Sequence, residues 1–176
     1  MVVIGYGIIL FLFTGCGSKE NIEQGMTRIS EVNYAEALEF FDEAEEQGEN
    51  EKLLARGRGI AYMGMTQYDE AEKYFLEALS CSNGIPEEMD YDINLYLAAV
   101  YTKQEKYARA EETYDAVLAL KPKDMEVKFL RGIARLKLGK YTEAKEDMGQ
   151  VVAAEPKNYE RILQIYEAME AAGHKD

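Results

Sequence analysis

The stretch YDEAEKYFLEAL, Tyr68 to Leu79, spaces its apolar side chains like one face of an α-helix. They recur at i, i+3, i+4, i+7 and i+8: Ala71, Tyr74, Phe75, Ala78 and Leu79. Three other segments repeat the pattern, namely YAEALEFFDEAE from Tyr34, YARAEETYDAVL from Tyr107 and YTEAKEDMGQVV from Tyr141. The four tyrosines are 34, 39 and 34 residues apart. A period of this size is typical of stacked units, none of which buries its apolar face alone.

A second apolar helical segment and a short polar turn precede each tyrosine, so we expect the unit to be a helical hairpin. A small residue stands nine positions before each tyrosine: Gly25, Gly59, Ala98 and Gly132. Glycine inside a helix costs roughly 1 kcal/mol relative to alanine, so its recurrence indicates that two helices pack closely there. Ala71 and Ala110 are predicted to lie at the same contact, on the second helix.

These positions resemble the tetratricopeptide repeat (TPR), with a small residue and an aromatic in helix A, alanine and an aromatic in helix B, and a final proline. The second unit follows this order with Gly59, Tyr62, Tyr68, Ala71, Phe75 and Ala78. The third and fourth units match at Leu97, Ala98, Tyr101, Tyr107, Ala110, Tyr114 and Pro122, and at Gly132, Tyr141, Ala144, Met148 and Pro156. Arg28 and Arg135 depart from the pattern, because each stands where an aromatic residue is expected.

The resemblance implies an all-α fold, a right-handed α-solenoid of about four helix-turn-helix repeats with a C-terminal capping helix. The TPR domain is expected over 22–176, with repeats at about 18–51, 52–90, 91–124 and 125–158 and the capping helix at about 159–173. A longer loop at Ser82 to Asp90 is expected to hold the extra residues of the 39-residue interval. On the capping helix, Ile162, Ile165, Tyr166 and Met169 are expected to share the packed face.

The first seventeen residues, MVVIGYGIILFLFTGCG, contain no charge. The apolar run is shorter than the roughly 20 residues of a membrane span and is typical of a signal peptide. Phe13-Thr14-Gly15-Cys16 resembles the bacterial lipobox, which implies a signal peptide over 1–15 and a diacylglyceryl group, with acyl chains such as palmitate, on the Cys16 sulfur. Residues 16–21 would then form the lipidated cysteine and a short linker.

The lipobox match has two departures. Leu usually stands where Phe13 does, and the basic n-region is absent because Lys19 is the first cation. A start codon upstream of Met1 would account for the second departure. The alternatives are an uncleaved N-terminal anchor or an ordinary secretory signal, and each also places the repeats outside the cytoplasm.

Composition restricts the function classes. A net charge of −13 argues against nucleic-acid binding, which needs a basic face. The one histidine, His174, is among the last three residues, so the sequence predicts no metal site, no cofactor and no hydrolytic triad, and we expect no enzyme activity. Cys81, without a nearby histidine, is expected to be a small packing residue.

The predicted function is therefore binding. In TPR proteins the A helices form the concave surface that receives a peptide or a helix. The equivalent positions here are apolar for so acidic a chain, and they form the candidate groove: Ile22, Met26, Ile29, Leu53, Arg56, Ile60, Met63, Leu95, Ala99, Thr102, Lys103, Phe129, Ile133, Leu136 and Lys137. The open alternative at these positions is packing into the next hairpin.

The sequence thus predicts a non-catalytic protein-interaction scaffold, anchored by lipid to the outside of a bacterial cell membrane. Two alternatives remain at this point: a structural subunit that assembles an envelope complex, and a regulatory partner of a cell-wall enzyme. One specialisation is excluded, because no lysine of the chain is followed four residues later by the asparagine of the TPR carboxylate clamp.

Overall fold

The computed structural model describes residues 20–173, which consist of helices and the turns that join them. The helices are α1 Glu20–Ser30, α2 Tyr34–Glu46, α3 Glu51–Gly64, α4 Tyr68–Ser80, α5 Glu88–Lys103, α6 Tyr107–Leu120, α7 Met125–Lys137, α8 Tyr141–Ala154 and α9 Tyr159–Ala171. The predicted signal peptide over 1–15, Cys16 and most of the linker lie outside the described residues.

Consecutive helices pair into four hairpins, α1 with α2, α3 with α4, α5 with α6 and α7 with α8. We call the first helix of each pair A and the second B. Each B helix begins at one of the four repeating tyrosines. We call α9, which follows the last hairpin and has no B helix in the described residues, an A-type helix. Helices α3, α7 and α9 begin with a side-chain cap: Asn50, Asp124 and Asn158 each accept a hydrogen bond from the backbone N–H three residues later. The predicted all-α repeat solenoid is confirmed.

The turn inside each hairpin is a Schellman-type motif. A residue with positive φ precedes each B-helix tyrosine by two positions: Val32, Thr66, Glu105 and Gly139. In the second turn the N–H of Gln67 donates to the carbonyl of Tyr62 over 2.9 Å, and the other three turns repeat this bond. One of the four positions is a glycine, so three hairpins place a side chain in the left-handed region, which costs about 1–2 kcal/mol.

The A helices form an inner layer. Helix α1 contacts α3, α3 contacts α5, and α7 contacts the ninth helix, α9. Among the described helices, no two B helices pack on each other in this way. Each B helix contacts the A helix of the next hairpin instead, which joins the hairpins into one array.

The small residues lie where the two helices of a hairpin touch. A Cβ atom placed on Gly59 would lie 2.6 Å from Cε1 of Phe75, and one on Gly132 would lie 3.2 Å from Cγ of Met148. Ala71 and Ala110 have no exposed surface. These positions therefore set the helix spacing, as the repeat pattern predicted.

Two element assignments differ from the sequence expectation. The boundary at 90/91 falls inside α5, because Asp90 accepts a hydrogen bond from the backbone N–H of Glu87 and starts the helix at Glu88. Part of the extra length thus extends the helix and leaves a shorter loop. On α9, Ile165 is buried and Met169 is partly buried against the fourth hairpin, but Tyr166 is 71% exposed and does not share their face.

The two arginines that depart from the repeat pattern are held by ion pairs. Arg28 contacts Glu31 at 2.6 Å and Glu36 at 3.2 Å, and its guanidinium lies over the ring of Phe40. Arg135 contacts Glu111 at 2.9 Å and Asp147 at 2.8 Å. A planar guanidinium thus occupies the aromatic position, because carboxylates on neighbouring helices neutralise its charge.

Candidate binding surface on the inner helix layer

The candidate groove residues lie on the A helices, which form the inner layer. Most of them are half-buried, with one side against a hydrophobic cluster and the other toward solvent: Met26, Ile29, Leu53, Ile60, Met63, Leu95, Phe129 and Ile133. Arg56, Ala99 and Thr102 are also half-buried, whereas Lys103 and Lys137 are exposed at the ends of α5 and α7. Apolar surface that is packed beneath and open above is suited to receive apolar side chains of a partner.

Two candidate residues do not belong to this surface. Ile22 is 8% exposed in the cluster of the first hairpin, and Leu136 is 7% exposed in the cluster shared by the fourth hairpin and α9. Both belong to the core, because neighbouring side chains of their clusters cover them. For Ile22 and Leu136, the alternative interpretation is therefore correct: these side chains pack in the protein interior and do not line a groove.

Arg56 connects the inner faces of α3 and α5. Its Nη2 lies 3.6 Å from Oδ2 of Asp92, and its guanidinium carbon is 5.7 Å from the centroid of the Tyr96 ring. The Tyr96 ring in turn stacks on Phe75 at 5.6 Å between centroids. The Nε of Arg56 is buried without a hydrogen-bond partner. Arg56 is therefore a partly satisfied cation in an apolar setting.

Phe129 lies at the other end of the surface, next to α9. The guanidinium of Arg161 stacks over the Phe129 ring at 4.2 Å from its centroid, and the same side chain pairs with Glu126. This stack covers one face of the aromatic ring and links α7 to α9. Between the two ends, the Tyr91 hydroxyl donates to Asp124 and joins α5 to the start of α7. Burial, and then the hydrogen bond and charge of Asp124, raise the pKa of Tyr91 to about 12, so the phenol is neutral at physiological pH.

Two further residues of this surface were not predicted from the sequence. Asp92 and Glu126 occupy the register of Leu53, fifteen residues before the B-helix tyrosine. Extending that register from the second unit to the third and fourth would have found both. They place acidic groups beside the apolar stripe, and each is paired with an arginine of a neighbouring A-type helix.

Tetratricopeptide repeat models match this chain at residues 56–125 and at residues 126–158. The chain belongs to the tetratricopeptide repeat family. The matched ranges cover most of α3 through α8, which include the greater part of the candidate surface. TPR domains are typically non-catalytic scaffolds for protein interaction. Within the described part of the chain, no group of three or more His, Cys, Asp or Glu side chains is placed to hold a metal ion.

Solved TPR structures resemble the whole array. MamA from Desulfovibrio magneticus RS-1 superposes with a TM-score of 0.78 at 20% identity, over 89% of this chain and 86% of that one. YrrB, described as a TPR protein with an unusual peptide-binding site, superposes with a TM-score of 0.75 at 21% identity, over 90% of this chain and 79% of that one. These similarities show the fold.

A human relative matches the chain over a shorter stretch. The protein O-mannosyl-transferase TMTC1 of Homo sapiens is 37% identical over 98 residues, which is 53% of this chain and 10% of that protein. The chain thus spans about a tenth of the length of this relative. None of the helices between Glu20 and Gly173 is long and apolar enough to cross a membrane.

Proposed function

We propose that this TPR protein is a non-catalytic scaffold of the bacterial cell envelope that binds a peptide or a helix of a partner protein on its inner helix layer. The observation that carries the proposal is that half-buried apolar side chains recur on the A helices. Leu53, Ile60 and Met63 belong to α3, and Phe129 and Ile133 belong to α7. The partner segment is one that presents apolar side chains at intervals, as an amphipathic helix does.

The proposal includes a lipid anchor on Cys16. Its support is the uncharged N-terminal segment and the lipobox-like Phe13-Thr14-Gly15-Cys16. Two acyl chains on one diacylglyceryl group would give stable attachment, where a single chain binds only marginally. The first hairpin begins four residues after Cys16, at Glu20, so the anchor would hold this hairpin near the membrane surface. A partner in or at the same membrane fits this arrangement best.

The inner surface is tested by Ile133→Glu, with Leu76→Glu on the opposite layer as the matched control. Ile133 is half-buried on α7, and Leu76 is 45% exposed on α4. We expect both variants to melt near the wild-type temperature, because each new carboxylate can remain in contact with water. After in-cell crosslinking and purification, Ile133→Glu should lose the partners that wild type and Leu76→Glu recover. Normal melting with every partner retained would contradict the proposal at this position.

The anchor is tested by Cys16→Ser. The thioether needs a sulfur atom, so the variant should lose the mass of the diacylglyceryl group and leave the membrane fraction. Cys81→Ser is the control. Cys81 is exposed and is not the packing residue that the sequence predicted, so its replacement should not affect the attachment. Unchanged mass and unchanged membrane fractionation in Cys16→Ser would instead support an uncleaved apolar anchor.

A further inference from the structure

The longest connection between helices within residues 20–173 contains the one Asn-Gly pair of the chain. It runs from the end of α4 at Ser80 to the start of α5 at Glu88, and Asn83 and Gly84 lie in its exposed middle part. In an Asn-Gly pair the backbone nitrogen of the glycine reaches the side-chain amide of the asparagine with little obstruction, because glycine has no side chain and wide conformational freedom.

This loop is held at both ends and open in the middle. Asp90 is 5% exposed and accepts hydrogen bonds from the Ser82 hydroxyl over 2.6 Å and from the backbone N–H of Glu87 over 2.9 Å. Between these two anchors, a Cβ atom placed on Gly84 would meet no atom within 4 Å. Asn83 and Gly84 therefore have room to change conformation while the hairpins on either side stay in place.

The backbone nitrogen of Gly84 is available to react. Its N–H donates to no acceptor in residues 20–173. The next N–H, that of Ile85, donates to Oδ1 of Asn83 over 3.0 Å. An attack on Cγ of Asn83 places negative charge on Oδ1, and a hydrogen-bond donor at this distance stabilises that charge. The loop thus combines an attacking nitrogen that is not hydrogen-bonded with an amide that is already polarised.

The other asparagines of the described chain lack this combination. Three of them are exposed at helix starts, and each precedes a tyrosine or a glutamate: Asn33, Asn50 and Asn158. The side chains of Asn50 and Asn158 also cap the helices that follow them. Asn21 and Asn94 lie within α1 and α5, where the helical conformation fixes the backbone. Asn83 is therefore the asparagine that the structure leaves most open to attack by its own backbone.

We propose that Asn83 is a site of spontaneous deamidation in the folded protein. The nitrogen of Gly84 forms a bond to Cγ of Asn83, the bond from Cγ to Nδ2 breaks, and ammonia leaves with the proton of the Gly84 N–H. Water then opens the five-membered succinimide ring. Attack of water at Cγ gives aspartate, and attack at the backbone carbonyl carbon gives isoaspartate, so the reaction needs no oxidant and no cofactor.

The products change the joint between the second and third hairpins. Both add one negative charge to a chain whose net charge is already −13. Isoaspartate also routes the main chain through the former side chain, which lengthens the connection by one methylene group. The deamidated protein thus carries a slow, irreversible modification at one joint of the array, next to the anchors of Ser82 and Glu87 on Asp90.

The test is peptide mapping of the folded full chain after incubation at neutral and at mildly alkaline pH. Mass spectrometry with fragmentation that separates isoaspartate from aspartate should show Asn83 converted to both products. Conversion should be faster at the higher pH, because the Gly84 nitrogen attacks after it loses its proton. The peptides that contain Asn50 and Asn158 are internal controls and should stay unchanged. An unmodified Asn83, or equal conversion of all three asparagines, would overturn the proposal.

Two variants and an unfolded reference sharpen the test. Gly84→Ala should slow the conversion of Asn83 several-fold, because a methyl group obstructs the approach of the nitrogen. Ile85→Ala is the matched control: it changes a residue that is 69% exposed, keeps the N–H and should react like wild type. The chain unfolded in urea gives the rate without the fold. Conversion of Asn83 in urea but not in the folded chain would show that the fold protects this site, and would refute the proposal.

Discussion

The second and fourth hairpins share one backbone plan but differ in the chemistry of their interiors. Six residues before the B-helix tyrosine, the second hairpin has Tyr62, whose ring stacks on Tyr74 at 5.4 Å between centroids. The fourth hairpin has Arg135 at that position, and its guanidinium is held by Glu111 and Asp147. The difference shows that the repeat needs the small residues at the helix contact, while the neighbouring position accepts either an aromatic stack or a neutralised cation.

Removing Asp147 should have the largest effect. Its side chain is 1% exposed and accepts hydrogen bonds from both Arg131 and Arg135. Asp147→Ala would leave two guanidiniums undercompensated inside the fourth hairpin, and we expect a loss of about 3 kcal/mol in the free energy of unfolding. Asp115→Ala is the matched control, because Asp115 contacts the same arginines but is 51% exposed. Its loss should stay below about 1 kcal/mol in urea unfolding. Equal losses would show that burial of the network is unimportant.

The helix contact should differ between the same two hairpins. Gly59→Ala would press a methyl group into the Phe75 ring, which is fully buried and cannot move aside. We expect this variant to lose about 2 kcal/mol of stability. Gly132→Ala meets the flexible side chain of Met148 instead, and the better helix propensity of alanine offsets part of the strain. Thermal melting should rank the two variants in this order, and a more severe effect of Gly132→Ala would contradict the packing described for α7 and α8.

The hairpin turns offer a smaller effect of opposite sign. Val32 has a φ of 62°, a strained conformation for a β-branched residue, whereas the fourth turn has Gly139 at 72°. Val32→Gly should therefore stabilise the protein by about 1 kcal/mol, because it relieves that strain. Gly139→Val should destabilise it by a similar amount. Urea midpoints measure both changes, and destabilisation by Val32→Gly would mean that the valine side chain contributes more than its backbone strain costs.

The smallest predicted effect is a change in the pH dependence of stability. Burial acts to raise the pKa of Glu111, but the hydrogen bonds and charges of Lys140 and Arg135 outweigh it and lower the pKa. A lowered pKa gives stability that is present above the ordinary glutamate value of about 4.3 and is lost as the pH falls through the folded-state pKa. Glu111→Gln should therefore show a shallower loss of stability below that pH than wild type. Identical slopes in urea unfolding series from pH 6 to 3 would contradict this assignment.

The repeat period and the small residues were sufficient to predict the hairpins and their order. The small residues stand at positions where the close approach of two helices restricts the residue type, so the contact is visible as a repeated pattern in the sequence. The positive φ angles at Val32, Thr66 and Glu105 could not be predicted from the sequence, because these residue types disfavour that conformation. The packing of the helices on both sides of each turn imposes it. The pairing of Arg135 also depends on α6 and α8, and no local pattern around the arginine names Glu111 or Asp147 as its partners.

The sequence predicted which residues of the candidate surface lie on the A helices, but only partly which of them are exposed to solvent. The spacing from each tyrosine identifies which residues lie on the A helices. It does not distinguish Ile133, which is half-buried, from Leu136, which α9 and α8 cover. On α9, the apolar residues surround more than one side of the helix, so sequence spacing alone did not separate Ile165 in the core from Tyr166 in solvent. Burial depends on neighbouring helices, which periodicity within one helix does not describe.

The second and fourth hairpins differ in their interiors, but both contribute an A helix to the same inner layer. We propose that the partner binds on that layer. Site-specific photocrosslinking tests it most directly, with the photoreactive residue at Ile60 and Ile133 on the inner layer and at Leu76 and Leu120 on B helices. We predict that the two inner positions crosslink the same partner segment in cells and that the two B-helix positions do not. Adducts with that segment at Leu76 and Leu120, and none at Ile60 and Ile133, would contradict the claim.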